Sequence, residues 1–297
     1  DGNNCSWLSC YGGKAWFKDM GYKIVVDSCC ELPEEYKKDA RFEIVPLGLE
    51  VGDYRIMDDE KFNQKEFLAK VAACPTCPKS SCPSPERYME AYHCGAERIY
   101  VVTLSSKLSG SYNSAELGKR LYHEKYGDKD IFVCDSESAS CGETQLARKA
   151  MELEEAGKPF GEIVKELETL RDCMKTYFVL DNLETLRKNG RLTGVKALVA
   201  TTLNVKPLME GVKGTIAQKG QAIGMKKGLA KMAEAVIKEV KDPADRVLMI
   251  THCNCPDRAE LVKGMVLGKI KVRDTVIMDT AGISSMYAND GGVIVTI

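Results

Sequence analysis

The sequence predicts an α/β fold in two parts: a three-layer α/β/α domain around a parallel sheet, then a domain around a mixed sheet. Three observations carry this. From residue 20 to about 175, short β-branched runs alternate with stretches of helical spacing, the pattern of strand–helix–strand crossovers. Several of those strands run into hydroxyl-rich turns that open helices. After residue 176, glycine-punctuated hairpins join the crossovers, so the second sheet should mix parallel and antiparallel pairs.

Composition sets the frame. A chain of 297 residues can bury two real cores. Its 42 basic and 43 acidic residues leave a net charge of −1, which argues against a general nucleic-acid binder. No apolar run reaches the length of a membrane span, and no secretory signal pattern opens the sequence. The 13 cysteines are odd in number, and several, such as Cys134, Cys141 and Cys173, fall in predicted strands or helices. They read as reduced thiols of a cytoplasmic protein.

Residues 1–19 hold both tryptophans and show no clear period, so they read as a peripheral N-terminal extension or a fusion remnant, outside the functional argument. Residues 23–26 form the first strand. Asp27 and Ser28 end it, either facing a ligand cleft or capping the short helix over 31–38, in whose first turn Pro33 is tolerated. Residues 43–51 read as a strand with an internal Pro46, hence an edge or irregular one, and 53–56 as its hairpin return. Phe67, Leu68 and Val71 space a helix over 63–73. Four prolines within residues 74–85 rule out a helix or a central strand, leaving an extended loop that offers Ser80 and Ser81. Cys74 and Cys77 in that loop end a helix rather than open one, and no second such pair follows. Loop thiols are therefore favoured over redox or zinc chemistry.

A helix over 85–94, capped by Ser84, leads to the stretch that organises the chain. Residues 99–104 are a buried strand; Ser105, Ser106, Ser109 and Ser111 crowd the turn after it; Tyr112, Ala115, Leu117 and Leu121 follow at helical spacing. A helix N-terminus presents unpaired N–H groups and partial positive charge, and one cap needs only one serine. The excess hydroxyls point to an anion site at the carboxyl end of a parallel strand. Residues 131–134 form a strand, 135–138 another acidic and hydroxylic turn, and 140–156 a helix closed by Gly157, followed by a helix from Pro159 to about residue 172.

In the second part, 177–180 is a strand and 182–187 a short helix. Arg187, Lys188 and Arg191 with Gly190 then make a basic loop, or a helix C-terminus with Lys188 facing the dipole. An apolar helix over 195–203, strands over 205–210 and 215–218, helices over 226–241 and 256–267, and strands over 247–251, 276–278 and 293–297 complete it.

Six segments now resemble one family in order and at suitable spacing: I-V-V-D-S-C-C-E-L-P, K-S-S-C-P-S-P, L-S-S-K-L-S-G-S-Y-N-S-A, V-C-D-S-E-S-A-S-C-G, L-E-T-L-R-K-N-G-R-L and L-N-V-K-P-L. They resemble the DegV family from about residue 22 to the end. The resemblance implies two α/β domains, 20–175 and 176–297, the second a two-layer domain receiving a lipid tail. A long-chain fatty acid such as palmitate, stearate or oleate would lie between them. It implies a carrier without catalytic residues, a fatty acid kinase partner that phosphorylates the bound carboxylate, and no cofactor or metal.

Residue by residue, the resemblance puts a carboxylate contact on Ser80, beside Ser81, and others on Ser105, Ser106 and Ser109, with Ser106 favoured. Arg187, Lys188 and Arg191 resemble a surface used near the kinase. The family's C-terminal histidine motif has no counterpart after His252, so Ser284, Ser285 or Tyr287 stand as its substitutes, with Asp27 and Ser28 as further candidates. A different class remains open: a phosphosugar isomerase or sensor using the same turn. A serine hydrolase is disfavoured, because the sequence has no G-x-S-x-G elbow and nothing ties His93, His123 or His252 to the serines.

Overall fold

The computed structural model describes residues 21–192 and 204–297. The extension over 1–19 and the helix expected over 195–203 lie outside the described residues. In chain order the first elements are β1 (Tyr22–Asp27), α1 (Glu34–Lys37), β2 (Phe42–Val45), β3 (Gly48–Val51), β4 (Tyr54–Met57) and α2 (Gln64–Ala73). Next come β5 (Lys79–Ser81), α3 (Pro85–Tyr92), β6 (Arg98–Thr103), α4 (Ser111–Tyr126), β7 (Asp130–Asp135), α5 (Cys141–Glu155) and α6 (Phe160–Cys173). Then follow β8 (Thr176–Val179), α7 (Glu184–Lys188), β9 (Val205–Val212), β10 (Thr215–Ile223), α8 (Met225–Glu239), β11 (Val247–His252), α9 (Pro256–Leu267), β12 (Asp274–Asp279), α10 (Gly282–Ala288) and β13 (Val293–Thr296).

The first sheet is wholly parallel, in the order β2-β1-β6-β7. Its strands are apolar on both faces, as a sheet covered on both sides requires. Ile24, Val26, Tyr100 and Val102 pack against Leu146, Ala150, Ile163 and Leu167 of α5 and α6. Val25, Ile99, Val101 and Val133 face the other way, onto Tyr88, Tyr92, Ala115 and Tyr122 of α3 and α4. That is the expected three-layer arrangement. Helices α3 and α4 cross at Gly118, where a Cβ would stand 2.6 Å from the Pro85 carbonyl oxygen.

The strand expected over 43–51 is two strands. Pro46 has no N–H to give a ladder, and the chain leaves the parallel sheet there. β3 instead centres a separate antiparallel sheet, β4-β3-β5, whose third member is the Ser80 segment read from sequence as a loop. It pairs on one side only, as an edge strand beside prolines must.

The second sheet is mixed, ordered β10-β9-β8-β13-β11-β12, with β11 parallel to β12 and every other pair antiparallel. The β9–β10 hairpin is longer than expected and turns at Lys213 and Gly214, both at positive φ, with Gly211 inside β9. Helices α8 and α9 cover one face through Leu229, Met232, Val236, Val262 and Val266. The opposite face presents Phe178, Met209, Ile216 and Ile294. Short helix α10, which has no predicted counterpart, joins that side. Among the described residues, no helix is long and apolar enough to cross a membrane.

Candidate functional site

The Ser-rich turn begins where β6 ends, and two of its four serine hydroxyls are committed inside the protein. Ser105 is fully buried; its Oγ donates to the Gly214 carbonyl at 2.7 Å and accepts the Lys107 N–H at 3.2 Å. It thereby fastens the β9–β10 turn onto the first sheet. The Ser106 N–H donates to the Asp135 carboxylate at 3.0 Å. Ser111, the first residue of α4, donates its hydroxyl to Asp27 at 2.6 Å, and Tyr88 Oη lies 2.6 Å from Ser111 Oγ. Asp27 also accepts the N–H groups of Leu104 and Cys29. The anion at this helix start is therefore the chain's own buried carboxylate. Burial pushes its pKa up, against the hydrogen bonds that pull it down. Glu143 beside it is fully buried, and neither of its carboxylate oxygens has a partner among the described residues. Burial, together with Asp27, raises its pKa well above the usual range.

Ser109 differs. Its Oγ accepts the Ser111 N–H at 3.2 Å and also faces a cavity under the inner face of the mixed sheet. The space in and before this cavity, open solvent included, is about 830 Å³, of which about 100 Å³ can hold the centre of a water-sized molecule. Its wall is mainly hydrocarbon: Leu104, Leu108 and Ala139 from the first part of the chain, and Phe178, Leu180, Leu186, Ile216, Ile283, Ala288 and Ile294 from the second. Ser80, Ser109, Ser284 and Tyr287 bring hydroxyls, and Arg191 and Glu137 bring charge. Ser138 and Thr176 also reach the wall, but their hydroxyls lie 2.8 Å apart and satisfy each other.

Ser80 on β5 and Tyr287 on α10 bring their oxygens to 3.3 Å. Ser284 lies three residues before Tyr287, on the same face of α10. Its Oγ lies 3.5 Å from the Cys29 carbonyl and 3.8 Å from the Cys29 thiol, which burial makes a weak acid. Two buried carboxyls hold the start of this helix. Asp58 accepts the N–H groups of Gly282 and Ile283, both at 2.8 Å, and burial lifts its pKa to about 6. Glu31 accepts the Ala281 N–H at 3.1 Å and the Ser140 hydroxyl, with its pKa raised by burial to about 7. A glycine at 282 is required, since a Cβ would lie 2.5 Å from Leu49 and 2.6 Å from Asp58.

Of the residues expected from sequence, the cavity wall brings together Ser80, Ser109, Ser284 and Tyr287. Ser105 and Ser106 lie behind it. Ser81 is exposed on the far side of β5. Ser28 is buried, its Oγ accepting the Leu47 N–H at 3.0 Å, and Ser285 bonds Thr280 at 2.8 Å. Arg187 and Lys188 are exposed, Arg187 paired with Glu184. Arg191 departs from the expected outer surface. It turns inward, donates from Nε to the Leu108 carbonyl at 3.1 Å and reaches the wall. Spacing along the loop gives no sign of that inward turn. Among the described residues, no histidine lines the cavity and no group of acidic, cysteine or histidine side chains is arranged to hold a metal.

Comparisons with known proteins agree with this architecture. The family described as "Uncharacterised protein, DegV family" matches residues 22–296. A DegV domain-containing protein of Streptococcus gordonii is 35% identical over 278 residues, 93% of this chain and 98% of that one. A DegV family protein from Ruminococcus gnavus, refined with vaccenic acid, is 54% identical and superposes with a TM-score of 0.92, covering 94% of this chain and 100% of that one. The fatty acid kinase (Fak) B3 protein of Streptococcus pneumoniae, loaded with linoleic acid, is 30% identical with a TM-score of 0.83, covering 93% and 99%.

Proposed function

Since the chain belongs to the DegV family, we propose that it holds a long-chain fatty acid in this cavity and presents its carboxylate to a kinase partner. The observation that carries the reading is the cavity itself: a mainly hydrocarbon wall that also carries serine, threonine and tyrosine hydroxyls, the Arg191 guanidinium and the Glu137 carboxyl. Each buried methylene contributes about 0.8 kcal/mol, so a C14–C18 tail such as that of palmitate, stearate or oleate supplies the affinity, less the cost of ordering it. A carboxylate taken out of water needs donors or a cation. Ser80, Ser109, Ser284 and Tyr287 supply neutral donors, and Arg191 supplies charge. Neutral donors leave a carboxylate oxygen free to attack a phosphoryl group. Two similar proteins, from Ruminococcus gnavus and Streptococcus pneumoniae, hold vaccenic and linoleic acid, and the second is named a fatty acid kinase (Fak) B3 protein.

In this reading the chain is a carrier, and the partner performs the phosphoryl transfer. Residues 20–175 form one domain, which brings Ser80 and Ser109 to the headgroup; 176–297 form the other, which brings Arg191, Ser284 and Tyr287 and whose inner sheet face receives the tail. The exposed Arg187 and Lys188, beside the cavity wall, suit an acidic or phosphate-bearing face of the partner. A sugar phosphate fits less well, because it would set hydroxyls against Phe178, Leu180, Ile216 and Ile294 without partners. Mass spectrometry of protein purified from bacteria tests the reading. The expected result is near-stoichiometric C14–C18 fatty acid after organic extraction; lipid at background level, or a bound sugar phosphate, overturns it.

A further inference from the structure

We propose that Asn189 is a positioning residue that ties the basic loop to the two segments carrying Ser80 and Ser109. The proposal rests on the fatty-acid reading above and extends it to a residue that touches no ligand. Asn189 follows α7, and its side-chain amide donates to the Pro78 carbonyl at 2.9 Å and to the Thr185 carbonyl at 3.0 Å, with the Cys77 sulfur at 3.4 Å. Its own carbonyl accepts from the Arg191 guanidinium, which also donates to the Leu108 carbonyl. Pro78 stands two residues before Ser80, and Leu108 stands beside Ser109. One residue thus connects three pieces of wall: the Ser80 strand, Arg191 and the Ser109 turn.

The need for such a tie follows from the strand it holds. β5 is three residues long and pairs only with β3. Pro78 before it has no N–H to add to the ladder. Sheet bonds alone therefore fix Ser80 weakly, while its hydroxyl must meet Tyr287 across the cavity. The bond to Thr185 lies within Asn189's own helix end and would serve a simple cap. The bond to Pro78 crosses 111 residues of sequence and does not.

Asn189→Asp and Asn189→Gly separate the two roles. Aspartate keeps the shape but faces the Pro78 and Thr185 carbonyls with oxygen instead of N–H; glycine deletes the whole side chain and frees the backbone at the end of α7. Release of a fluorescent C16 fatty acid is followed by displacement with excess oleate, and amide hydrogen exchange is followed over 77–81 and 186–191. The expectation is release about tenfold faster in Asn189→Asp and several-fold faster in Asn189→Gly, with faster exchange over 77–81 in both. Unchanged exchange over 77–81 in both variants overturns the tie. Faster exchange with wild-type release overturns its role at the cavity. A wild-type protein that takes up no fluorescent fatty acid overturns the lipid reading instead, and the exchange data then decide on the tie alone.

Discussion

The turn over residues 105–111 and the strand β5 both carry serines and use them in opposite ways. The turn is dense in hydroxyls, yet Ser105 and Ser111 bond to Gly214 and Asp27 inside the fold, and only Ser109 reaches the cavity. β5 has two serines, one facing solvent and one facing the cavity, as strand alternation demands. The difference is one of supply. A strand end between two sheets must satisfy buried N–H and C=O groups, and nearby hydroxyls are consumed doing so. An edge strand has its backbone needs met by one neighbour and by water, so its inward hydroxyl is free. Hydroxyl density along the chain therefore marks a demanding turn, in which only some of the serines are left to face the cavity.

The sharpest way to break this comparison is to remove the one cation on the wall. Arg191→Met keeps the aliphatic packing and deletes the charge. A buried carboxylate left without its cation loses about 2–5 kcal/mol of binding, so fatty acid affinity should fall about a hundredfold. Titration calorimetry with oleate on delipidated protein measures it. A loss below about threefold would mean that the hydroxyls alone hold the headgroup.

A paired substitution sharpens it further. Ser80→Ala removes a free donor, so affinity should drop roughly tenfold while the melting temperature holds. Ser105→Ala orphans the buried Gly214 carbonyl and Lys107 N–H, which should cost about 1–3 kcal/mol of stability with affinity little changed. Denaturant unfolding and oleate titration on both variants give four numbers. If Ser105→Ala loses affinity and keeps its stability, the two segments have exchanged roles.

Much of the fold was legible because it rests on local pattern. The β-branched runs of β1, β6 and β7 and the helix spacings between them follow from burial on two sheet faces. The Gly and hairpin signals near 211–214 foretold a mixed second sheet. The departure at Pro46 was half-legible: the missing N–H marks an irregular strand, but the sheet that receives β3 is a long-range choice. Within the candidate site, Ser80 and Ser109 were visible in their motifs. The inward turn of Arg191 and the pairing of Tyr287 with Ser80 depend on contacts across 83 and 207 positions, which no local spacing encodes. The buried carboxyls at 31, 58 and 143 look like ordinary surface acids in sequence, since charge alone does not report depth.

The smallest expected effect concerns those carboxyls, and it compares the two helix starts flanking the cavity. At α4, Asp27 takes its hydrogen bonds from Leu104, Cys29 and Ser111. At α10, Glu31 accepts from Ala281 and Ser140, and burial lifts its pKa from 4.5 to about 7. A raised carboxyl pKa means that the folded protein binds the proton more tightly than the unfolded chain. Its contribution is full below about pH 4.5 and is lost as pH rises through about 7. Glutamine mimics the protonated acid without titrating. Glu31→Gln should therefore lose less stability than the parent protein across that window. Asp39, Glu43, Asp181 and Asp274, whose pKa values are lowered in the folded state, act in the opposite sense, but they are common to both proteins and cancel in the difference. Urea unfolding of both proteins across the window measures that difference. Parallel curves would mean that Glu31 binds its proton no more tightly in the folded protein than in the unfolded chain, and that its hydrogen bonds at α10 offset its burial.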